Sequence, residues 1–190
     1  MTDGKTKPTV LLHSCCGPCS TACIERLAPD YHLCILYYNP CIDDEAEYEL
    51  RKANQIKFIN AYNETLGEDK VEFLEGTYEP EEYHKLVEGL EEEPEGGKRC
   101  TVCFGQRLGE CAKIAKEKGF DYFATTLTVS PHKNYPLISQ LGNEAGQQAG
   151  IEFLDLDFKK KAGFQRSIAL SKEYDLYRQN YCGCNFSKRD

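Results

Sequence analysis

Apolar and polar positions follow two different spacings along this chain, and the two spacings alternate. Short runs rich in apolar and β-branched residues, bounded by turn residues, are typical of strands buried in a sheet. We predict strands at 9–13, 32–38, 71–74, 122–127 and 151–156. Between these runs, apolar residues recur at helical spacing behind capping residues such as Asp43 and Asp44, and one such run stops at Gly150. We predict helices at 20–27, 43–64, 79–90, 101–118 and 134–149.

Strands that alternate with helices imply a parallel sheet with right-handed crossovers and helices on both faces. We therefore predict a single α/β domain over residues 1–190, with 1–7 as a flexible N-terminus and the acidic stretch 91–98 as a loop. Ligands of such folds bind at the carboxyl ends of the strands. The residues around Cys15, after the first strand, and those at 125–133 should therefore share one site.

The composition is that of an ordinary globular protein, with 41% hydrophobic and 28% charged residues. The longest apolar runs are too short to span a bilayer, and residues 1–8 lack the apolar segment of a signal peptide. We therefore expect a cytoplasmic protein with no membrane partner. In that reducing compartment, eleven cysteines indicate metal or redox chemistry rather than structural disulfides.

Charge is distributed unevenly, although the net charge is −8. Residues 64–95 carry thirteen acids and two bases, whereas residues 159–190 carry eight bases and three acids. The total argues mildly against a nucleic-acid partner, but a local basic patch decides whether phosphates are attracted. The basic segment is therefore either a phosphate-binding surface or a solvated face.

Seven of the eleven cysteines fall into three tight motifs near the start, middle and end of the chain. These cysteines are Cys15, Cys16, Cys19, Cys100, Cys103, Cys182 and Cys184. Thiolates at such spacing suit a metal cluster, a redox pair, or both. Neighbouring motifs are about 80 residues apart, so only folding could bring them together.

Two simpler interpretations explain fewer of these cysteines. Cys16-Gly-Pro-Cys19 is also the active-site tetrapeptide of thioredoxins, and a helix N-terminus would stabilise its thiolate. However, this chain has no tryptophan, and the other motifs have no place in dithiol exchange. A single zinc ion is the second simple interpretation, but it needs only four ligands, fewer than the seven clustered cysteines. Cys182 and Cys184 are separated by one glycine and could form only a strained disulfide, so they suit an electron relay or a metal pincer.

The four remaining cysteines predict mainly structural roles. Cys34 lies in an apolar strand run and Cys111 on the apolar face of a helix, so both are expected in the core. Cys23 is also interpreted as a core residue. Cys41 follows the second strand near the same rim as Cys15, so the core and the site are both open to it.

Six short motifs occur in a fixed order between about residue 8 and residue 187. They are His13-Ser-Cys-Cys-Gly-Pro-Cys19, Tyr38-Asn-Pro40, Gly97-Lys-Arg-Cys100-Thr-Val-Cys103-Phe, Thr125-Thr-Leu-Thr-Val-Ser-Pro131-x-Lys133, Asp157-Phe-Lys-Lys160 and Tyr177-Arg-Gln-x-Tyr-Cys-Gly-Cys184. In this order they resemble the motifs of the QueH-type epoxyqueuosine reductases. Each motif alone is moderately specific, but six in order make chance improbable. One departure is Cys41, because the family more often carries asparagine there.

The resemblance implies a Rossmann-like fold related to the ATP-pyrophosphatase (HUP) group, with a C-terminal helical segment. The nucleotide loop of that group is absent and residues 14–20 occupy its place, so ATP use is not expected. The implied reaction reduces the epoxide of epoxyqueuosine, at the wobble position of a tRNA anticodon, to the alkene of queuosine. Two electrons from an external donor and two protons enter, and water leaves. The family needs no cobalamin and uses a 4Fe–4S cluster with a second mononuclear metal ion, iron or zinc.

The resemblance and the spacing together assign roles to the clustered cysteines. The expected ligands of the 4Fe–4S cluster are Cys15, Cys16, Cys100 and Cys103. The last two are three residues apart at a helix start, so both thiolates can face one cluster. The expected ligands of the second metal, or members of a reducible dithiol, are Cys19, Cys182 and Cys184.

Breaking a carbon–oxygen bond also needs an acid that protonates the departing oxygen. The candidate acids are His13, Asp43 and Tyr181. For His13, a packing role at a strand end explains the residue equally well. Anticodon loops are bound by basic grooves and by stacking on aromatic side chains. The expected tRNA-binding residues are therefore Lys133, Lys160, Arg166 and Arg178.

Two other functions stay open at this point. A non-catalytic zinc-binding RNA module would use the cysteines only to stabilise its fold. A cluster-dependent tRNA thiolase would need the nucleotide loop that is absent here. The reductase accounts best for the surplus of thiols, because a purely structural site has no use for Cys182 and Cys184 beside four other ligands.

Overall fold

The predicted strands are all present, and they pair in parallel to form one sheet. We describe a computed structural model that covers residues 6–188. Its strands are β1 (Thr9–Ser14), β2 (His32–Tyr37), β3 (Glu72–Glu75), β4 (Tyr122–Thr125) and β5 (Glu152–Phe153). They lie in the order β3-β2-β1-β4-β5, and every pairing is parallel. The prediction for the N-terminus falls mostly outside the described residues, as does Arg189 of the basic segment.

β4 and β5 are shorter than the apolar runs that predicted them. After Thr125 the chain enters a 3₁₀ helix, Thr126–Val129, and the Thr125 hydroxyl accepts the N–H of Leu127 at 3.2 Å. This side-chain hydrogen bond satisfies the N–H of Leu127 locally, so that N–H does not pair with a neighbouring strand and β4 ends at Thr125. β5 then pairs with β4 only at Glu152 and Phe153.

The five predicted helices are present in the predicted order, and a sixth follows them. Within residues 6–188 they are α1 (Gly17–Leu27), α2 (Glu45–Thr65), α3 (Pro80–Leu86), α4 (Lys98–Glu117), α5 (Tyr135–Ala149) and α6 (Gly163–Glu173). Two predicted end signals are confirmed. The Asp44 carboxylate accepts the N–H groups of Ala46 and Glu47 at the start of α2, and Gly150 ends α5 in the left-handed conformation with a φ of 71°.

Two of these helices begin three residues earlier than predicted, α1 at Gly17 and α4 at Lys98. Pro18 in the first turn of α1 favours this start, since its fixed φ suits a helix and its missing N–H is not needed there. The early starts place Cys19 and Cys100 in the first turns of their helices. None of the helices in residues 6–188 has the length and apolar character needed to cross a membrane.

Helices cover both faces of the sheet, as predicted. Leu11 of β1 packs on one side with Leu108 of α4, whereas its neighbours Val10 and Leu12 pack on the other side with Ile24 of α1. Successive side chains of a strand point to opposite faces, so a strand that is apolar throughout must be buried on both. The core therefore lies in two layers, one on each side of the sheet.

The strand order reverses between β1 and β4, which are neighbours in the sheet although β2 and β3 lie between them in sequence. At their carboxyl ends His13 lies opposite Thr125. Such a reversal leaves a crevice outside the strand ends, where α/β proteins bind their ligands. The fold therefore brings the loop after β1 and the loop after β4 to one rim, as the sequence predicted.

Candidate metal and substrate site

All three cysteine motifs reach one cavity of about 320 Å³ at this rim. The cysteines that line it are Cys15, Cys19, Cys100 and Cys182. The loop after β4 supplies Ser130 and Lys133 to the same wall, and the C-terminal segment supplies Gln179 and Tyr181. A groove of about 350 Å³ near Lys7 and Asp69 contains no cysteine. The chemistry of this chain therefore concentrates in the cavity at the rim.

One set of sulfur atoms comes from the loop after β1 and the first turn of α1. We call Cys15, Cys16 and Cys19 the first thiol group. Their Sγ atoms all lie within 4.8 Å of one another, and those of Cys15 and Cys16 are 3.9 Å apart. Cys16 is the N-cap residue of α1, so the group sits at the positive end of that helix, where a thiolate is stabilised.

The three sulfur atoms of the first thiol group share their charge unequally. Hydrogen bonds from Cys16 and Cys19 hold the pKa of Cys15 well below its usual range. Burial raises the pKa of Cys16 to about 12, and the hydrogen bond to Cys15 raises the pKa of Cys19 well above its usual value. One thiolate and two thiols result, and a metal ion would displace the two remaining protons.

A second set of sulfur atoms is buried farther from the cavity. We call Cys41, Cys103 and Cys184 the second thiol group, because they pack into one cluster with aromatic side chains such as Tyr37. Cys41 follows β2, Cys103 lies in α4, and Cys184 lies in the C-terminal segment. A hydrogen bond between Cys41 and Cys103 lowers the pKa of Cys103 and raises that of Cys41. Cys103 is therefore the more readily deprotonated of the two.

A buried guanidinium faces the second thiol group. Arg107 is 1% exposed, and its Nη2 donates to the Sγ of Cys103 at 3.2 Å. Within residues 6–188 no carboxylate forms an ion pair with it. Burial opposes its charge, but the electrostatic interaction with Cys103 and Cys41 outweighs burial and keeps the pKa of Arg107 above its usual value. The counter-charge of this arginine is thus sulfur.

Lys133 has the same kind of surroundings on the cavity wall. Burial opposes its charge, yet the electrostatic interaction with Cys182, Cys15 and Cys19 holds the pKa of Lys133 above its usual value. The side chain is half-buried at the cavity wall. Lys133 and Arg107 together make the site suitable for anionic sulfur.

The C-terminal segment crosses the rim and is held there by Arg51. This buried arginine donates to the carbonyl oxygens of Tyr181 at 3.2 Å and Cys182 at 3.0 Å, and it pairs with Glu47 at 2.7 Å. Gly183 has a φ of 132°, and a Cβ there would lie 2.9 Å from Cγ1 of Ile42. The glycine between Cys182 and Cys184 is therefore required by the backbone as well as by the motif.

Two of the three candidate acids are engaged away from the cavity. The Nδ1 of His13 lies 3.0 Å from the Thr125 hydroxyl, and its Nε2 lies 3.0 Å from the carbonyl oxygen of Tyr38. Burial and the charge of Arg107 lower the pKa of His13 to about 4, so the imidazole is neutral and joins three strand ends. Asp43 pairs with His84 and accepts the N–H of Asn185. Tyr181, by contrast, lines the cavity.

The expected tRNA-binding residues occupy different places. Lys133 lies in the cavity wall, and Arg178 lines the cavity with its guanidinium 5.9 Å from the centre of the Phe164 ring. Arg166 donates twice to the Glu25 carboxylate, at 2.6 and 2.8 Å, so its charge is largely compensated. Lys160 is exposed. Two of these residues, Lys133 and Arg178, therefore line the cavity, whereas Lys160 and Arg166 do not.

The other cysteine predictions have clear outcomes. Cys23, Cys34 and Cys111 are buried in the core, as predicted. Cys41, which the sequence left open, is 2% exposed and belongs to the second thiol group. All eleven cysteines are free thiols.

Sequence reasoning missed three side chains that shape the site. Arg107 lies one helical turn after Cys103, so the i, i+4 spacing was a readable signal. Arg51 lies on α2, far from every cysteine motif in sequence, and carried no signal. Gln179 donates from Nε2 to the Sγ of Cys16 at 2.9 Å, a contact that only the folded chain creates.

Comparison with known proteins agrees with this geometry. The family model described as "Epoxyqueuosine reductase QueH" matches residues 10–190. A protein of that name from Streptococcus pyogenes serotype M1 is 44% identical over 183 residues, which cover 96% of this chain and 71% of that protein. One from Staphylococcus epidermidis is 44% identical over 187 residues, covering 97% and 78%. One from Thermotoga maritima is 35% identical over 185 residues, covering 94% and 90%. The chain therefore belongs to the epoxyqueuosine reductase QueH family.

Proposed function

We propose that this chain reduces the epoxide of epoxyqueuosine, at the wobble position of tRNA, to the alkene of queuosine without cobalamin. The observation that carries the proposal is the convergence of three remote cysteine motifs on one cavity of about 320 Å³. A structural metal site needs four ligands and no adjoining cavity. The names of the relatives point to the same reaction.

The residues at the rim fit an anionic iron–sulfur cluster. Thiolates are the usual ligands of such clusters. Arg107 is a buried cation without a carboxylate partner in residues 6–188, so anionic sulfur and metal-bound sulfide would balance it. We propose a 4Fe–4S cluster on Cys15, Cys16, Cys100 and Cys103, and a second iron or zinc ion on Cys19, Cys182 and Cys184.

This partition implies that the two metals are neighbours. The first thiol group contains two proposed cluster ligands and Cys19, within 4.8 Å of both. The second thiol group contains a cluster ligand, Cys103, packed with Cys184. Each group would therefore serve both metals. When bound, the cluster would supply electrons one at a time and the second ion would act as a Lewis acid toward oxygen.

The side chains around the cavity have further roles in this proposal. Phe104, Val129 and Leu137 form an apolar part of its wall and would exclude water from the bound ring. His13 and Asp43 would position the strand ends and the C-terminal segment rather than transfer protons. Tyr181 remains a candidate acid because it lines the cavity.

The tRNA would approach from the side where Arg178 and Phe164 meet the cavity. A guanidinium over an aromatic ring offers both a phosphate contact and a stacking surface to a single-stranded loop. We expect the variant Lys160→Met/Arg166→Met/Arg178→Met to bind tRNA more weakly, with a salt slope smaller by about 0.7 per lost phosphate contact. Unchanged affinity and slope, measured by filter binding at several salt concentrations, would remove this surface from the proposal.

The decisive experiment supplies epoxyqueuosine-containing tRNA and dithionite to protein purified without oxygen, then analyses the digested nucleosides. Queuosine should accumulate, and the protein should be brown and contain iron and acid-labile sulfide. A colourless protein with stoichiometric zinc and no queuosine would favour the zinc-binding RNA module instead. The physiological electron donor would be an external protein or small molecule that replaces dithionite.

The architecture also supports a relationship to a larger group of α/β proteins. The sheet order is that of doubly wound α/β proteins, with the site at the reversal between β1 and β4. We propose that the chain is a single Rossmann-like domain related to the ATP-pyrophosphatase group, in which the cysteine loop takes the place of a nucleotide loop. Absence of protection by ATP against thermal unfolding would agree with that replacement, and strong protection would contradict it.

A further inference from the structure

Lys133 presents an ammonium group to the cavity without a partner in residues 6–188. No hydrogen bond or ion pair from its Nζ is formed with those residues, although the side chain is half-buried. Lys159 on the same rim contrasts with it. The Lys159 ammonium pairs with Asp157 at 3.6 Å and donates to the carbonyl oxygens of Thr128 and Lys133. Lys159 therefore has a structural role, whereas the charge of Lys133 is available to a ligand.

The backbone around Lys133 is held firmly. Its N–H donates to the carbonyl oxygen of Ser130 at 3.3 Å, and its own carbonyl oxygen accepts from Lys159 at 3.4 Å. The next residue, Asn134, caps α5 through a hydrogen bond from the N–H of Leu137 at 3.3 Å. The backbone of Lys133 is thus fixed between the 3₁₀ helix after β4 and the start of α5, which places its side chain at the cavity wall.

The wall of the same cavity carries an acceptor without a donor. The Nε2 of Gln179 donates to the Sγ of Cys16 at 2.9 Å, which sets the orientation of the amide. Its Oε1 is buried and has no hydrogen-bond partner in residues 6–188. A buried acceptor left unpaired is unfavourable, so a ligand with a hydroxyl or amine donor would be favoured there. The cavity therefore offers a free cationic donor and a free acceptor to one ligand.

We propose that Lys133 is a catalytic residue that donates a hydrogen bond, and then a proton, to the epoxide oxygen, while Gln179 orients the substrate through a donor group. This inference rests on the proposed function. Both carbon–oxygen bonds of the epoxide break and a carbon–carbon double bond forms, as two electrons arrive from a low-potential one-electron donor. The oxygen leaves as water with two protons. Lys133 supplies the first, becomes a neutral amine and is reprotonated by solvent; solvent water supplies the second.

The placement of Lys133 distinguishes it from the acids that the sequence suggested. His13 uses both ring nitrogens within the fold, and Asp43 is bound to His84 and to the C-terminal segment. Tyr181 lines the cavity but stacks against the guanidinium of Arg51, 5.1 Å from its ring centre. The sequence-based expectation for Lys133 was a tRNA phosphate contact, which would change affinity and leave the rate at saturation intact.

The test compares Lys133→Met, which keeps the side-chain length without the charge, with Lys133→Arg and Tyr181→Phe. Lys113→Met serves as a matched control, because Lys113 is 61% exposed on α4. For each protein, iron and sulfide content, tRNA affinity, and the single-turnover rate at saturating epoxyqueuosine-tRNA with dithionite are measured. We expect Lys133→Met to lower that rate by about 10²-fold or more, as for loss of a general acid. Its iron content and tRNA affinity should stay within about twofold of the wild type.

Lys133→Arg should recover part of the rate, because it restores a charged donor in a different shape. A wild-type rate in Lys133→Met would overturn the assignment, as would weaker tRNA binding with an unchanged rate at saturation. Loss of iron from both Lys133 variants would make the lysine a structural counter-charge and would equally overturn it. A large loss in Tyr181→Phe with none in Lys133→Met would transfer the role to the tyrosine. If the wild-type protein forms no queuosine, the proposed function itself fails.

Discussion

The first thiol group takes its three sulfur atoms from five consecutive residues, whereas the second collects its sulfur atoms from the end of β2, from α4 and from the C-terminal segment. The first lies at a helix N-terminus beside the cavity, and a neutral amide, Gln179, donates to it. The second lies among aromatic rings, and a buried guanidinium, Arg107, donates to it. Each holds one preferred anion, Cys15 or Cys103.

The difference shows two ways to favour a thiolate in a folded protein. A helix terminus and neighbouring S–H groups stabilise the anion of the first thiol group without any nearby opposite charge on its own segment. Cys103 of the second lies inside α4 rather than at a helix terminus, so a cation beside it takes over that role. The contrast can be tested by removing each support in turn.

The largest effect is expected from removing the anionic sulfur itself. Cys15→Ser and Cys103→Ser should each lose acid-labile sulfide and most of the iron from protein purified without oxygen, because a 4Fe–4S cluster needs four thiolates. Cys34→Ala is the control, since Cys34 is buried in the core and does not line the cavity. Iron and sulfide assays decide the outcome. Full metal content in Cys103→Ser would leave only the first thiol group as a metal site.

The next effect concerns the cation beside the second thiol group. Arg107→Met should lower the free energy of unfolding of the reduced, metal-free protein by about 3–5 kcal/mol, because a buried anion loses its partner. Gln179→Leu, which removes the neutral donor beside the first thiol group, should cost only about 1 kcal/mol. Urea unfolding followed by circular dichroism measures both. Equal losses would show that the two groups are supported in the same way.

The free energy of unfolding should depend on pH through His13, which lies at the end of β1. The folded protein lowers the pKa of His13 from 6.5 to about 4, so the unfolded chain binds the proton more readily between these values. Stability should therefore rise with pH across this window, by about 3 kcal/mol from this residue. The contribution is fully present above pH 6.5 and is lost as the pH falls toward 4.

The variant His13→Gln isolates that contribution. It should unfold with a flatter dependence on pH between 4 and 6.5 than the wild-type protein, when both are metal-free and reduced. Urea midpoints measured at several pH values give the slope. An identical slope in the variant would mean that another group is responsible.

A smaller effect is expected at the turn that brings Cys184 to the second thiol group. Gly183→Ala places a Cβ 2.9 Å from Cγ1 of Ile42 on a backbone with a φ of 132°, and should cost about 1–3 kcal/mol of stability. Gly105→Ala is the matched control, since a Cβ in the middle of α4 meets nothing within 4 Å. That control should be stabilised by about 0.5–1 kcal/mol through helix propensity. Similar results for both variants would contradict a strained turn.

Much of the fold was readable because its signals are local. The buried strands of a parallel sheet read as continuous apolar runs, and Asp44 and Gly150 marked helix ends through their own backbone hydrogen bonding or conformation. Strand ends were less readable. Thr125 ends β4 through a hydrogen bond to Leu127, two residues on, and an apolar run gives no sign of it.

In the candidate site, too, some features follow from local spacing in the sequence and others do not. The membership of Cys15, Cys16 and Cys19 in one group follows from their spacing, since a loop followed by a helix turn brings such close residues together. The partnership of Cys41 with Cys103 does not, because one follows β2 and the other lies in α4, about 60 residues apart in sequence. The same holds for Arg51, which anchors a segment 130 residues away in sequence.

The sequence by itself determined the alternating α/β order, the cysteine motifs and their resemblance to a family, because each is encoded within a short stretch of chain. The tertiary structure alone decided which sulfur atoms face the cavity, which cations lie near them, and that Lys133 lines the cavity. Charge balance and burial are set by neighbours from distant segments. Both can therefore be assigned only in the folded protein, where the sheet and its loops bring these segments together.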